Sequence, residues 1–114
     1  MSIKMPSNPA LPEVIFNNSV TGFLAKDMTG QGAIVVLTDD EAMQAISAFT
    51  GTLAVNVEVV VPSETKIYFL ANRTSGAFSL TIKTAAGAGV VVGQGANAIL
   101  ICDGTDVLRF TGDI

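Results

Sequence analysis

Three groups of residues in this chain have side chains or backbone suited to a reactive or ligating site. They are the run Asp39-Asp40-Glu41, the single thiol of Cys102, and the glycines at 87, 89, 93 and 95. Adjacent carboxylates can hold a hard cation, but a calcium loop alternates its ligands and puts a glycine at the sharp bend. The run has neither feature. With Thr38 ahead of it, it spells a capping box, Thr38 as N-cap and Glu41 at N3, and acidic residues in a first turn offset the helix dipole. Cys102 closes the apolar stretch AILIC, and a reactive thiolate needs a histidine or cationic neighbour. The chain contains no histidine, so the commonest general base and metal ligand is missing. A buried, inert thiol is expected. The glycines bracket Val90-Val91-Val92, with no following helix and no Lys-Ser/Thr pair, so they serve turns or bulges rather than phosphate. Asn17-Asn18-Ser19 and Asn72-Arg73-Thr74 match the glycosylation triplet, but MSIKMPSNPALP has no apolar core of a secretory leader. No catalytic residue, cofactor or metal is expected.

Composition directs attention to contact surfaces instead. The chain has 114 residues, 49% hydrophobic and 14% charged, where an ordinary domain carries about 25% charge. One domain is expected, burying roughly two-thirds of its unfolded surface. Half the residues cannot be hidden inside so small a body, so a partner must cover some apolar surface. There is no run of 18 apolar residues, which points to protein rather than membrane as that partner. The net charge of −4 and six scattered Lys and Arg residues argue against nucleic acid. A homo-oligomer, dimer or trimer, or docking on a larger assembly, is expected. One cysteine allows no intrachain disulfide, which suits assembly in a cytoplasm.

The elements that would carry such surfaces fall into two zones. Residues 1–32 form an extended arm and first strand: Pro6, Pro9 and Pro12 exclude a helix. Ile3, Met5, Leu11, Val14 and Phe16 are nevertheless apolar, unlike a disordered tail. The zone is either a loosely attached first strand or an arm that grips a neighbour, and these five are the candidate partner contacts. Residues 33–114 read as a β-sandwich domain. Ala33 to Leu37 is a short strand, and the capping box opens a single helical turn. Ala54 to Val61 alternates, putting Val55, Val57, Val59 and Val61 on one face. Lys66 to Asn72 and Ala77 to Thr84 read as a hairpin turning at Arg73-Thr74-Ser75-Gly76, with Phe78, Leu80 and Ile82 facing in. Asp103-Gly104 signals a tight turn before the last strand. About eight short strands at intervals of roughly 8–12 residues predict an all-β, antiparallel two-sheet sandwich, jelly-roll-like.

From Val61 to Leu108 the text resembles a module of tailed-bacteriophage virion proteins. Asn72, Thr74, Gly76-Ala77-Phe78, Leu80-Thr81, Lys83-Thr84, Gly87, Gly89, Gln94-Gly95 and Cys102-Asp103-Gly104-Thr105 carry the match, and Leu37 to Leu53 resembles the segment that precedes it. The likeness spans roughly 80 residues. Gly93 stands where the pattern commonly has Pro. The resemblance implies a β-rich virion module of the kind found in tail-fibre and tail-tip chains, and it implies no catalytic residue.

A short chain with no heptads, no collagen-like repeat and no visible internal repeat reads as a capsid cement or decoration subunit on the particle surface. Its partners would be copies of itself and the major capsid protein. The alternative is a tail-fibre, tail-tip or baseplate component that recognises a host surface, although Tyr68 is the sole Tyr and there is no Trp. A small hydrolase would need paired carboxylates across a cleft, and the sequence offers none.

Overall fold

The structure, a computed structural model, describes residues 22–114. Among them, in chain order, are β1 (Phe23–Asp27), β2 (Ile34–Val36), α1 (Asp39–Ala42), β3 (Ile46–Thr52), β4 (Val57–Val60), β5 (Thr65–Ser75), β6 (Leu80–Lys83), β7 (Val90–Val92), β8 (Asn97–Asp103) and β9 (Val107–Arg109). The protein is mostly β, built of two mixed sheets. One sheet has the order β1-β3-β5-β8-β9 and the other β2-β4-β6-β7.

The winding follows from that order. Up to β6 the chain alternates between the sheets, and each strand lies parallel to the strand two before it. Phe23 is opposite Ile46, and Ile46 is opposite Phe69, so one circuit takes 23 residues in this sheet, while in the other Ile34 to Glu58 spans 24 and Val57 to Leu80 spans 23. Equivalent corners stack. The Thr52 amide donates to Thr29 Oγ1 at 3.0 Å, and the Thr52 and Ser75 hydroxyls lie 3.2 Å apart. On the second circuit's exit the Ser79 amide donates to Asn56 Oδ1 at 2.9 Å. Gly76 makes the crossing after β5 at φ +101, and a Cβ there would lie 2.7 Å from the Leu53 carbonyl oxygen.

Only the last three strands run antiparallel to their neighbours: β7 on β6, β8 on β5, and β9 on β8. The expected all-antiparallel, jelly-roll connectivity is therefore corrected, because four of the seven pairings are parallel. The expected hairpin at residues 73–76 is corrected too. β5 runs on through Ser75 with Asn72 and Thr74 buried, then crosses to the other sheet. Periodicity of two fixes which side chains face inward, not the direction of the neighbouring strand, and the two winding schemes look alike in sequence. The absence of an internal repeat in the sequence stands beside a regular winding of the backbone. The circuits repeat in backbone register while their side chains differ. The turn at Asp103 does join antiparallel β8 and β9, with Gly104 at φ +96.

The inner faces of the two sheets share one hydrophobic cluster containing Phe49, Tyr68, Leu70 and Leu100 from one sheet and Val57, Val59, Leu80, Ile82 and Val92 from the other. Val57, Val59, Leu80 and Ile82 are buried as expected, but Val55 is 41% and Phe78 39% exposed. These two lie one circuit apart, on the crossings just before β4 and β6, where the chain has not yet turned into its strand. Polar pegs cross the core. Asn72, fully buried, donates to the Val92 carbonyl at 2.8 Å and accepts from the Thr74 hydroxyl at 2.6 Å. The Thr84 hydroxyl donates to the Thr105 carbonyl at 2.6 Å. Asn72, Thr74 and Thr84 thus join one sheet to the other or close turns.

Candidate assembly interface

The outward side chains of the five-stranded sheet fall into rows set by the strand register. One row runs Phe23, Ile46, Phe69, Ile99, and the next runs Ile67, Ile101, Leu108. A third row is Ala25, Ala48, Ala71 and Asn97. The middle of this face is apolar across all five strands. Phe23 is 60%, Ile67 53%, Leu108 49% and Phe69 46% exposed. Polar groups frame it: Thr65 and Asp103 on one side, Asp27, Thr50 and Arg73 on the other, with the Arg73 guanidinium donating to Asn97 Oδ1 at 2.8 Å. An apolar centre with a polar rim is the anatomy of a protein interface. A shallow trough in its middle is lined by Ile46, Phe69, Ile99 and Ile114 among others.

The side chains stand there for a local reason. In KIYFLAN and NAILIC both alternate sets are apolar, so the strands have two dry faces instead of one. The inner set, Tyr68 and Leu70 with Ala98, Leu100 and Cys102, fills the core, leaving Ile67, Phe69, Ile99 and Ile101 outside. Sequence reasoning named these strands without assigning their faces and so did not locate the outer one. The signal was the absence of a polar parity between Ile67 and Ala71.

The other sequence candidates fall as follows. Ile3, Met5, Leu11, Val14 and Phe16 lie outside the described residues. Asp39, Asp40 and Glu41 form the first turn of α1; the Glu41 amide donates to Thr38 Oγ1 at 3.2 Å, and Glu41 accepts from the Thr38 amide at 3.0 Å. The Lys26 ammonium, 2.6 Å from Glu41, holds that carboxyl below the usual range, helped by the Thr38 amide. Cys102 is fully buried, with its Sγ 3.7 Å from the Pro62 carbonyl oxygen. Among the described residues no group of three or more His, Cys, Asp or Glu side chains is placed to hold a metal ion.

A second hollow lies between α1 and β5, lined by Asp39, Glu64, Lys66 and Tyr68 among others. Lys66 sits 4.7 Å over the Tyr68 ring and donates to the carbonyls of Gln44 and Ile67, both at 3.1 Å. Burial lowers the pKa of its ammonium. Burial also pushes the Tyr68 phenol up to about 12, with the Cys102 thiol and Glu64 adding to the shift. The cation is committed to main-chain carbonyls, and the phenol is further from ionising than a free one. The arrangement anchors β5 to the segment after α1.

Comparison with protein-family models, curated proteins and solved structures gave no match.

Proposed function

We propose that this chain is a structural subunit of a tailed-phage particle, whose two sheets close as a sandwich and whose apolar outer sheet face is its permanent contact with other subunits. The observation that carries the reading is the uncharged centre of the five-stranded sheet, from Phe23 to Leu108. Permanent interfaces are more apolar than transient ones and resemble a core cut in two. The same face accounts for the low charge fraction of the sequence. The phage-like string from Val61 to Leu108 supplies the particle. A capsid cement role, bridging capsomers through copies of itself, is the reading preferred here, because many weak contacts add multivalently at lateral junctions.

One observation favours the second reading, a tail-fibre or tail-tip component. Stacked 23-residue circuits are a repeat architecture, and such folds elongate by adding circuits. Particles lacking this chain separate the two. A cement role predicts heads that release DNA at lower temperature while adsorption to cells is unchanged. Normal heat stability with lost adsorption would overturn it in favour of the tail.

A further inference from the structure

β7 is the last strand of its sheet, and its outer side is where a further strand would add. The neighbouring bonds fix which groups it offers there. The Val57 and Val61 amides donate to the Ser79 and Lys83 carbonyls, so odd-numbered residues along β6 face β4 and even-numbered ones face β7. Leu80 opposite Val92 and Ile82 opposite Val90 therefore carry the ladder between β6 and β7. Val91 turns its N–H and C=O outward, and Gly93 follows in the same phase. Those groups are already engaged. The Arg109 guanidinium donates to the Val91 carbonyl, and the Asp113 carboxylate accepts from the Gly93 amide at 3.1 Å. The Gly93 carbonyl accepts from the Ala96 amide at 3.1 Å. At these two residues only the Val91 N–H is left without a partner among the described residues.

Arg109 and Asp113 reach this edge from the other sheet, and the backbone holds them in place to do so. Residues 110–114 continue β9 along β8. The Phe110 amide donates to the Ile99 carbonyl at 2.9 Å, and Asn97 and Ile114 exchange amide-to-carbonyl bonds of 3.0 and 2.7 Å. Arg109 also donates to Asp113 at 2.8 Å and to the Thr111 carbonyl at 3.1 Å, so the two charged groups position each other. Both are partly exposed, and an ion pair in that setting contributes little to folding. Its consequence is that the edge is occupied. We infer that Arg109 and Asp113 form a clasp that keeps β7 from pairing with β7 of a second copy of this chain. An edge freed on one copy is freed on every copy, so the pairing held off is antiparallel about a two-fold axis at Val91, joining two four-stranded sheets into one. The clasp does not involve the outer face of the five-stranded sheet, so the inference does not depend on the function proposed above.

Sedimentation velocity and amide hydrogen exchange on the full chain test it, with Arg109→Ala/Asp113→Ala beside the unaltered protein. The double variant should keep the amide protection of β5 and β8 while its Gly93 amide exchanges about tenfold faster in dilute solution. It should also self-associate at least about tenfold more tightly than its parent. Association through the five-stranded face is common to both chains and cancels in the comparison. Adding Val91→Lys sets two lysines opposite each other on the axis and should return association to the parent level. If the double variant loses its β8 protection, Asp113→Asn takes its place; it keeps an oxygen for Gly93, gives up only the charge, and should show the same changes at smaller size. A folded unclasped chain that associates no more than its parent overturns the inference, even with faster exchange at Gly93, and leaves the pair a local fastening. Extra association that survives Val91→Lys also overturns it, because the contact then runs through another surface.

Discussion

The two sheets are alike inside and different outside. Their inner faces contribute to one core, with Phe49, Leu70 and Leu100 from the five-stranded sheet meeting Val59, Leu80 and Ile82 from the other. The outer face of the four-stranded sheet is mixed, with exposed Ile34, Val36 and Val91 toward its edges and Glu58, Thr81 and Lys83 among them. Its rows read Ile34, Glu58, Thr81, Val91 and Val36, Val60, Lys83, with Glu58 and Lys83 3.9 Å apart. The outer face of the five-stranded sheet has no charged side chain in its three central rows. Folding requires only the inner faces to be apolar. A second apolar face adds nothing to the core of the isolated subunit, and on the function proposed above it is covered by another subunit.

If the faces differ only outside, core truncations should cost alike on both sheets. Phe49→Ala is expected to lose about 3–5 kcal/mol and Leu80→Ala about 2–5 kcal/mol by denaturant unfolding. A large loss on one sheet alone would mean that the core is not shared. Phe78→Ala, on a half-exposed crossing, should lose less than either.

The next effect belongs to the inner end of β5. Burial pushes the Tyr68 phenol up to about 12 from its ordinary 10.0. A group with a raised folded pKa contributes stability that is complete below the unfolded value and lost as pH rises through the folded one. Stability should therefore fall by about 2–3 kcal/mol between pH 10 and 12. Lys66, whose pKa is lowered by burial, works in the opposite sense as its unfolded form loses its proton. The phenol is isolated by Tyr68→Phe, which should remove the alkaline fall. An unchanged alkaline profile in Tyr68→Phe would show that the phenol is not buried against the core.

The smallest effect is expected on the four-stranded face. Thr81→Lys should change stability by no more than about 0.5 kcal/mol and leave self-association unaltered in sedimentation. A Thr81→Lys chain that dissociates would place the contact on the wrong sheet.

Much of this was legible in the sequence, for reasons that differ by region. Thr38 and Glu41 announce their helix start because a capping box is local, needing only four residues. Val57, Val59, Leu80 and Ile82 announce burial because one polar parity accompanies them in each strand. Direction of pairing was not legible. Asn72 reads as a strand end and Thr74 as a turn residue until the buried hydrogen bonds of the pair are seen, and the circuit length is held by backbone stacking with few repeated side chains. The apolar outer face was legible only as a sum. The low charge fraction says that apolar surface is left over, but Ile67 and Phe69 look like core residues until Tyr68 and Leu70 occupy the core. The five arm residues, Ile3, Met5, Leu11, Val14 and Phe16, lie outside the described part of the chain.

The central claim is that the outer face of the five-stranded sheet is a protein contact. Its most direct test is the association state of Ile46→Lys/Phe69→Lys beside the unaltered chain, by sedimentation equilibrium at micromolar concentration. Both side chains point outward, so the folded subunit should keep its circular dichroism, while its denaturation midpoint loses only the part that association contributes. The account predicts that the unaltered chain is oligomeric and that the double variant is a folded monomer, a loss of at least about a hundredfold in association, as expected for central apolar anchors. An unaltered chain that stays monomeric, or a variant that associates as well as its parent, would contradict it.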